Sequence, residues 1–243
     1  MKPIILITSC ERDRSNGRNA AVRETWIRTW GHLVEHRFIL GSGCENPQDD
    51  EIIFNNVDDG YHGVDRKQRE ACRWALANGY DYAFQCDADT YVVVPRLLAS
   101  GFEKHDYIGY TISRPEHLEP YYAGGGCGYW LSARALQVLA DASDESFCGW
   151  SDLWVGNCLL SADIHATHDE RYWTDGHYSE AQGIQARWGG EGAFPYCDEG
   201  VWDRGIITAH LGRGTNQFDP QWMRECHESF LAWERRDGNR EGA

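Results

Sequence analysis

The chain has 243 residues, of which 38 are Asp or Glu and 23 are Lys or Arg, so its formal net charge is −15. With 42% hydrophobic and 25% charged residues, its composition is that of neither a disordered chain nor a membrane protein. No apolar run in the sequence approaches the roughly 20 residues that cross a bilayer. The acidity disfavours electrostatic binding to nucleic acid or anionic lipid.

The first third of the chain alternates between apolar strands and helical patterns, which is typical of an α/β fold. Residues 3–8 form an apolar run too short for a secretory signal, and we expect a buried strand there. Residues 37–40 predict a second strand, and 64–78 predict a helix with Gly79 at its end. An earlier helix is predicted by one apolar stripe, which consists of Val22, Trp26, Trp30 and Leu33.

A strand predicted over 80–86 leads directly into the triplet Asp87-Ala88-Asp89. Further strands are expected at 107–112 and 128–131. The segment 162–205 is rich in Gly, Trp and His and has weak periodicity, so we expect long substrate-binding loops there. Helices are predicted to begin near Pro95, Ser132 and Asp152.

The triplet is the first candidate site, because open α/β sheets bind ligands at the C-terminal ends of their strands. Asp87 and Asp89 can turn toward one divalent cation, and Mg²⁺ and Mn²⁺ prefer such oxygen ligands together with substrate phosphates. A D-x-D triplet also occurs in solvated turns, so its meaning depends on the rest of the chain.

Seven segments supply that context, in the order 18–26, 38–41, 59–67, 87–92, 122–132, 151–159 and 207–210. They resemble seven blocks of the inverting β-1,3-glycosyltransferases, a family that includes galactosyltransferases, N-acetylglucosaminyltransferases and the Fringe enzymes. In the same order, the family's blocks are R-R-x-A-I-R-x-T-W, F-x-x-G, D-x-Y-x-N-L-T-x-K, D-D-D-x-Y-V, G-G-A-G-Y-x-L-S, E-D-V-x-x-G-x-C-L and a late histidine. The resemblance spans about residues 4–212. The chain departs from these blocks at Asn19, Asp65, Ala88 and Ser151.

The resemblance implies a GT-A fold, which is an α/β domain with a mostly parallel sheet flanked by helices. It also implies metal-dependent transfer of a sugar from a UDP-sugar to an acceptor hydroxyl, with inversion. Asp87, Asp89 and His210 would then hold Mn²⁺ or Mg²⁺, which neutralises the leaving diphosphate. We expect one domain over 1–233, with a donor-binding half at about 1–112, an acceptor-binding half at about 113–233 and a disordered tail at 234–243.

The same resemblance makes Asp152 the general base that takes the acceptor proton. Trp150 and Trp154 flank it, and their rings would exclude water and raise its basicity; otherwise Asp152 is a first-turn acid that offsets the helix dipole. The remaining donor-binding candidates are Arg23, Asp59, Lys67, Gly125 and Gly126, alongside Asp87. Of Trp150, Trp154, Trp173 and Trp188, we expect one or two to contact the acceptor.

Several alternatives stay open. The acceptor is a glycan, a glycopeptide, a small molecule or a hydroxymethylated base of phage-type DNA, which a basic patch of Arg12, Arg14, Arg18, Arg23 and Arg28 would favour. A non-catalytic sugar- or nucleotide-binding module and a metal-dependent phosphohydrolase are competing functions. The nine cysteines are expected to be mostly free thiols. With no anchor in the sequence, we expect a cytoplasmic bacterial or viral enzyme, or an excised lumenal domain.

Overall fold

The computed structural model describes residues 1–112, 122–173, 202–211 and 219–237. Twelve strands lie within these segments: Pro3–Thr8 (β1), Glu35–Ser42 (β2), Glu51–Asp58 (β3), Tyr82–Asp87 (β4), Thr90–Val92 (β5), Tyr107–Gly109 (β6), Thr111–Ile112 (β7), Tyr122–Ala123 (β8), Tyr129–Ser132 (β9), Thr167–His168 (β10), Tyr172–Trp173 (β11) and Thr208–His210 (β12). The α-helices with both ends in the same segments are Glu11–Ser15 (α1), Arg18–Val22 (α2), Arg28–Trp30 (α3), Val64–Ala77 (α4), Val94–Leu98 (α5), Ala133–Ala140 (α6), Ser151–Ser161 (α7) and Pro220–Asp237 (α8).

A seven-stranded sheet forms the centre of the molecule, in the order β10-β6-β9-β4-β1-β2-β3. The pairs β1–β2, β1–β4, β2–β3 and β6–β10 are parallel, whereas β9 runs antiparallel to β4 and β6. The predicted α/β class with a mostly parallel sheet is therefore confirmed. Thr8 pairs with Asp87, so the carboxyl ends of β1 and β4 meet at one edge.

Both faces of this sheet are buried, as expected for a parallel sheet with helices on either side. Side chains alternate along β1, where Ile5 and Ile7 contact one hydrophobic cluster and Ile4 and Leu6 contact the other. The helices α4, α6 and α7 cover one face, and α2 and α8 pack on the opposite side. The continuous apolar run at 3–8 reflects this burial on both faces.

A smaller sheet in the order β11-β12-β5 adjoins the end of β4. Strand β5 follows β4 after the two-residue turn Ala88-Asp89, and β12 pairs antiparallel to β5 with His210 opposite Thr90. This pairing brings a histidine from late in the chain beside the acidic triplet.

The predicted helix over the Val22 to Leu33 stripe differs in the structure. A π-helix at Arg23–Ile27 follows α2, and Thr25 has non-helical φ and ψ of −107° and −106°. The Thr25 hydroxyl donates to the Ala21 carbonyl at 2.7 Å, a back-bond that bends helices. Trp26 and Trp30 are buried as predicted, but Leu33 lies beyond α3 and is 45% exposed.

Three further observations complete the outline. Helix α8 runs to Asp237, so residues 234–237 of the predicted tail are helical, while 238–243 lie outside the described residues. The eight cysteines in the described segments are free thiols. None of the helices in those segments combines the length and apolar character needed to cross a membrane.

Candidate active site

A cavity of about 760 Å³ opens at the carboxyl ends of β1 and β4, the edge at which α/β sheets bind ligands. It brings together every predicted site residue except Arg23, namely Asp59, Lys67, Asp87, Asp89, Gly125, Gly126, Asp152 and His210.

The acidic pair and His210 form one end of the cavity. Nε2 of His210 lies 3.5 Å from Oδ1 of Asp89, and a guanidinium nitrogen of Arg18 lies 4.0 Å from Oδ2 of the same carboxylate. Burial and the negative charge of Asp89 raise the pKa of Asp87 to about 7. Burial alone would raise the pKa of Asp89 as well, but the positive charges of His210 and Arg18 lower it. The charge of His210 also opposes the upward shift at Asp87, so both carboxylates are stabilised by the same histidine.

This end of the cavity fits a divalent cation. Oδ1 of Asp89 is buried and receives no hydrogen bond of standard geometry from the described residues. A cation there would satisfy that oxygen and relieve the repulsion from Asp87. Within the described residues, no group of three or more His, Cys, Asp or Glu side chains is arranged to hold a metal ion. A cation at Asp89 would therefore need waters and substrate phosphates as further ligands, as Mg²⁺ commonly does.

Gly126 holds the position of His210. A Cβ built on Gly126 would lie 2.7 to 2.8 Å from three atoms of the imidazole ring, so only glycine lets the ring pack on this backbone. The turn Gly125–Cys127 is tied to the small sheet by two buried hydroxyls. Thr90 donates to the Gly126 carbonyl at 2.9 Å and accepts from the Asp87 N–H at 3.2 Å, and Thr208 donates to the Cys127 carbonyl at 2.6 Å.

Asp152 stands at a separate position on the cavity wall, in the first turn of α7. Oδ1 of Asp152 accepts a hydrogen bond from the Leu153 N–H at 2.8 Å. A Cβ built on Gly125 would lie 3.7 Å from the Cβ of Asp152. The expectation that two tryptophans enclose it needs correction. Trp154 is fully buried and donates to the Ser146 hydroxyl at 2.9 Å, because its ring belongs to the core beneath α7. Trp150 lines the cavity and is 61% exposed.

Lys67 and Asp59 line the cavity as a hydrogen-bonded ion pair rather than as two groups that are each available to bind the donor. The Lys67 ammonium, whose residue is 1% exposed, donates to the carbonyls of Ser9 and Asp59 at 2.7 and 3.0 Å and lies 3.2 Å from Oδ1 of Asp59. Burial would raise the pKa of Asp59, but the N–H groups of Glu11 and Gly41, together with Lys67, lower it. The pair therefore fixes the loops that follow β1 and β3.

Arg23 does not reach the cavity. Its guanidinium donates to both oxygens of Asp50 at 2.7 and 2.8 Å and to Glu51 at 2.8 Å, and it stacks over Phe38 at 4.4 Å. This side chain therefore faces β3 rather than the cavity. Arg18, five residues earlier, lines the cavity instead and contacts Asp13 at 3.2 Å. Sequence reasoning missed Arg18 as a site residue, although it opens the same motif.

Three of the five arginines in the predicted patch are ion-paired with carboxylates at 3.2 Å or less. Arg14 contacts Glu11 and Glu51, at 2.6 and 3.5 Å, in addition to the partners of Arg18 and Arg23 given above. Of the other tryptophans expected near the acceptor, the backbone of Trp173 pairs with Ala209 in the small sheet, and Trp188 lies outside the described residues.

No protein-family model matches the chain. Two solved structures resemble it over nearly its whole length. One is a glycosyltransferase involved in the glycosylation of the major capsid of PBCV-1, with a TM-score of 0.50, 10% identity, and coverage of 92% of this chain and 99% of that one. The other is the galactosyltransferase LgtC in complex with donor and acceptor sugar analogs, with a TM-score of 0.51, 12% identity, and coverage of 93% and 95%. At such identities the likeness establishes the fold, and the predicted GT-A class is confirmed.

Proposed function

We propose that the protein is a metal-dependent, inverting glycosyltransferase that moves a sugar from a UDP-sugar to an acceptor hydroxyl. One observation carries the proposal: a single cavity holds an acidic pair with a histidine at one end and a separate carboxylate, Asp152, on its wall. The acidic pair with its histidine suits a cation that neutralises the leaving diphosphate. Asp152 suits the role of a base that takes the proton of the acceptor hydroxyl. The GT-A fold, shared with a galactosyltransferase and a capsid glycosyltransferase, supports the sugar-transfer part of this proposal and not its stereochemistry.

At the donor end, Asp89, His210 and Asp87 would hold Mn²⁺ or Mg²⁺. The bound ion would act as a Lewis acid that offsets the charge developing on the departing diphosphate. Arg18, beside Asp89, would contact the same phosphates, for which a guanidinium is geometrically suited. Asp59 and Lys67 would keep the β1 and β3 loops in place around the nucleotide.

In the reaction itself, the acceptor oxygen bonds to the anomeric carbon while the bond from that carbon to the UDP oxygen breaks. The electron pair of the broken bond leaves with UDP, and the acceptor proton passes to Asp152. A single displacement needs no protein nucleophile and inverts the anomeric configuration. Asp152 lines the cavity from the first turn of α7, an element other than the β4–β5 turn that carries the acidic pair, which supports its assignment as the base.

The test is a panel of nucleotide sugars with Mn²⁺, assayed by nucleotide release and by donor binding. We expect Asp89→Ala to lose metal-dependent donor binding. Asp152→Asn should bind donor normally and lose transfer by a factor of about 10² to 10⁴, the usual contribution of a general base. The anomeric configuration of the product, read by NMR, tests inversion separately.

Three outcomes would contradict the proposal at different points. Failure of every nucleotide sugar to bind with metal would remove the donor assignment. Full transfer by Asp152→Asn would remove the base. Metal-dependent donor binding without transfer to any acceptor would identify a binding module on the same scaffold.

A further inference from the structure

Two large aromatic side chains are exposed at the cavity wall. Tyr61 is 64% exposed and Trp150 is 61% exposed, and both line the cavity. The other large hydrophobic side chains that are exposed in the described residues, Met1, Leu33 and Leu160, do not line it. Most large aromatic side chains in the described residues are at least partly buried. An exposed pair of them beside a cavity therefore suggests a binding role.

The pair is assembled from two distant parts of the chain. Tyr61 begins the short helix Tyr61–Gly63 after β3, and Trp150 directly precedes α7. Their ring centroids lie 6.4 Å apart with planes at 88° to each other. The two rings are therefore nearly perpendicular, and together they form an aromatic corner at the edge of the cavity.

The backbone around this corner is held firmly. The buried Asp65 of α4 accepts a hydrogen bond at 3.0 Å from the N–H of Gly149, the residue before Trp150. On the other side, a Cβ on Gly63 would lie 2.1 Å from the Asp58 carbonyl, so the turn that carries Tyr61 is closely packed. Asp65 occupies a position where the resembling family has threonine. It joins the Trp150 loop to the helix that begins beside Tyr61.

The corner lies next to the proposed base. Trp150 precedes Asp152 by two residues and both line the cavity, so the ring and the proposed base belong to the same stretch of its wall. The cationic side chains Arg12, Arg18 and Lys67 belong to the part of the cavity formed by the β1 loop and its contacts. Three arginines of the predicted patch, Arg14, Arg18 and Arg23, are ion-paired with carboxylates, which lowers the positive charge they offer a polyanionic acceptor.

We propose that Tyr61 and Trp150 form the acceptor subsite, in which one ring of the pair stacks on the sugar that receives the transfer. A pyranose ring presents an apolar face of C–H groups that stacks on an aromatic ring, while its edge hydroxyls point outward. One ring of the corner would stack on that face and the perpendicular ring would flank it, which directs one hydroxyl toward Asp152. This inference rests on the proposed glycosyltransferase function and names the residues that would recognise its acceptor.

The test varies the acceptor at saturating donor. The probes are the methyl glycosides of galactose, glucose, N-acetylglucosamine and N-acetylgalactosamine, supplied to the parent and to Trp150→Ala, Trp150→Phe and Tyr61→Ala. Leu160→Ala, which removes an exposed apolar side chain elsewhere on α7, is the matched control. We expect Trp150→Ala to raise the acceptor KM about tenfold or more, which is typical of a ring that carries binding energy. Trp150→Phe should recover part of that loss, and the donor KM should change less than twofold.

An unchanged acceptor KM in both alanine variants would overturn the inference while leaving the transferase standing. A raised donor KM with an unchanged acceptor KM would also overturn it, because the rings would then stack on the nucleobase. If the parent transfers no sugar at all, saturation-transfer NMR with the same methyl glycosides decides the matter without catalysis. Transfer to the C–H protons of the sugar that Trp150→Ala abolishes supports the subsite, and its absence in the parent overturns it.

Discussion

Replacing Gly126 by alanine tests how the cavity positions its histidine. The new Cβ would lie 2.7 Å from two atoms of the His210 ring, whereas ordinary contacts of a Cβ begin at about 3.4 Å. The ring must therefore retreat by about 0.7 Å or more. Because β12 is paired to β5 beside it, we expect the side chain rather than the strand to move. Nε2 would then leave its position 3.5 Å from Oδ1 of Asp89.

A displacement of this size is enough to matter chemically. Changes that disturb the orientation of a metal ligand without removing it typically cost 10- to 100-fold in metal affinity or activity, and we expect Gly126→Ala to fall in this range. Gly125→Ala is the matched control in the same turn. Its Cβ would lie 3.7 Å from Cβ of Asp152, an ordinary contact, and neither glycine has a positive φ.

The assay is a Mn²⁺ titration of donor binding for the parent and both variants, with thermal unfolding to verify that each is folded. Gly126→Ala should need at least tenfold more Mn²⁺ than the parent, and Gly125→Ala should stay below that shift. If the two variants show the same Mn²⁺ dependence, the packing of His210 on Gly126 has no role in metal binding. The assignment of His210 as a ligand would then lose its structural basis.

Three further predictions concern stability. Burial lowers the pKa of His227 to about 4 from 6.5, so the unfolded state binds the extra proton between those values and stability falls as the pH drops from 6.5 to 4. Relative to His227→Gln, urea unfolding should show a loss approaching about 3 kcal/mol, and parallel pH profiles would refute this. Thr90→Val removes a buried hydroxyl with two partners and should cost about 2 kcal/mol in urea unfolding, whereas Thr90→Ser should cost less than half as much. Arg23→Met should lower the free energy of unfolding by about 2 kcal/mol, since it removes a partner of buried Glu51, yet leave the donor KM near the parent value. A tenfold rise in that KM would return Arg23 to the donor site.

Local patterns were sufficient to predict much of the fold. The strand at 3–8 is buried on both faces, so its sequence is a continuous apolar run. Ser132 caps α6 by accepting from the Ala135 N–H at 3.3 Å, an interaction within four residues. Strand β3 escaped prediction because it lies at the sheet edge and is only partly buried, with polar residues such as Asn55 and Asn56 along it.

The candidate site, too, could be predicted only in part from the sequence. Asp87 and Asp89 could be predicted as a pair because they follow a recognisable strand, whereas His210 was assigned to the same site through the family resemblance. At 3.6 residues per turn, the side chains of Arg18 and Arg23 point about 140° apart, so only one of them can face the cavity. Which one does depends on how the helix packs on the sheet, and the sequence pattern did not show that Arg18 lines the cavity while Arg23 contacts Asp50. Trp154 was misplaced for a similar reason, since its burial depends on how α7 docks on the core.

The pairing of β5 with β12 has a consequence for how the site forms. Thr90 and His210 are about 120 residues apart in sequence, so closing this contact has a large entropic cost in the unfolded chain. The acidic turn after β4 acquires its histidine only when the late part of the chain has docked. A ligand that contacts both the acidic turn after β4 and His210 would therefore stabilise that docking by mass action. Limited proteolysis of the late segments should slow when metal and donor are present together, which makes protease resistance a direct readout of occupancy.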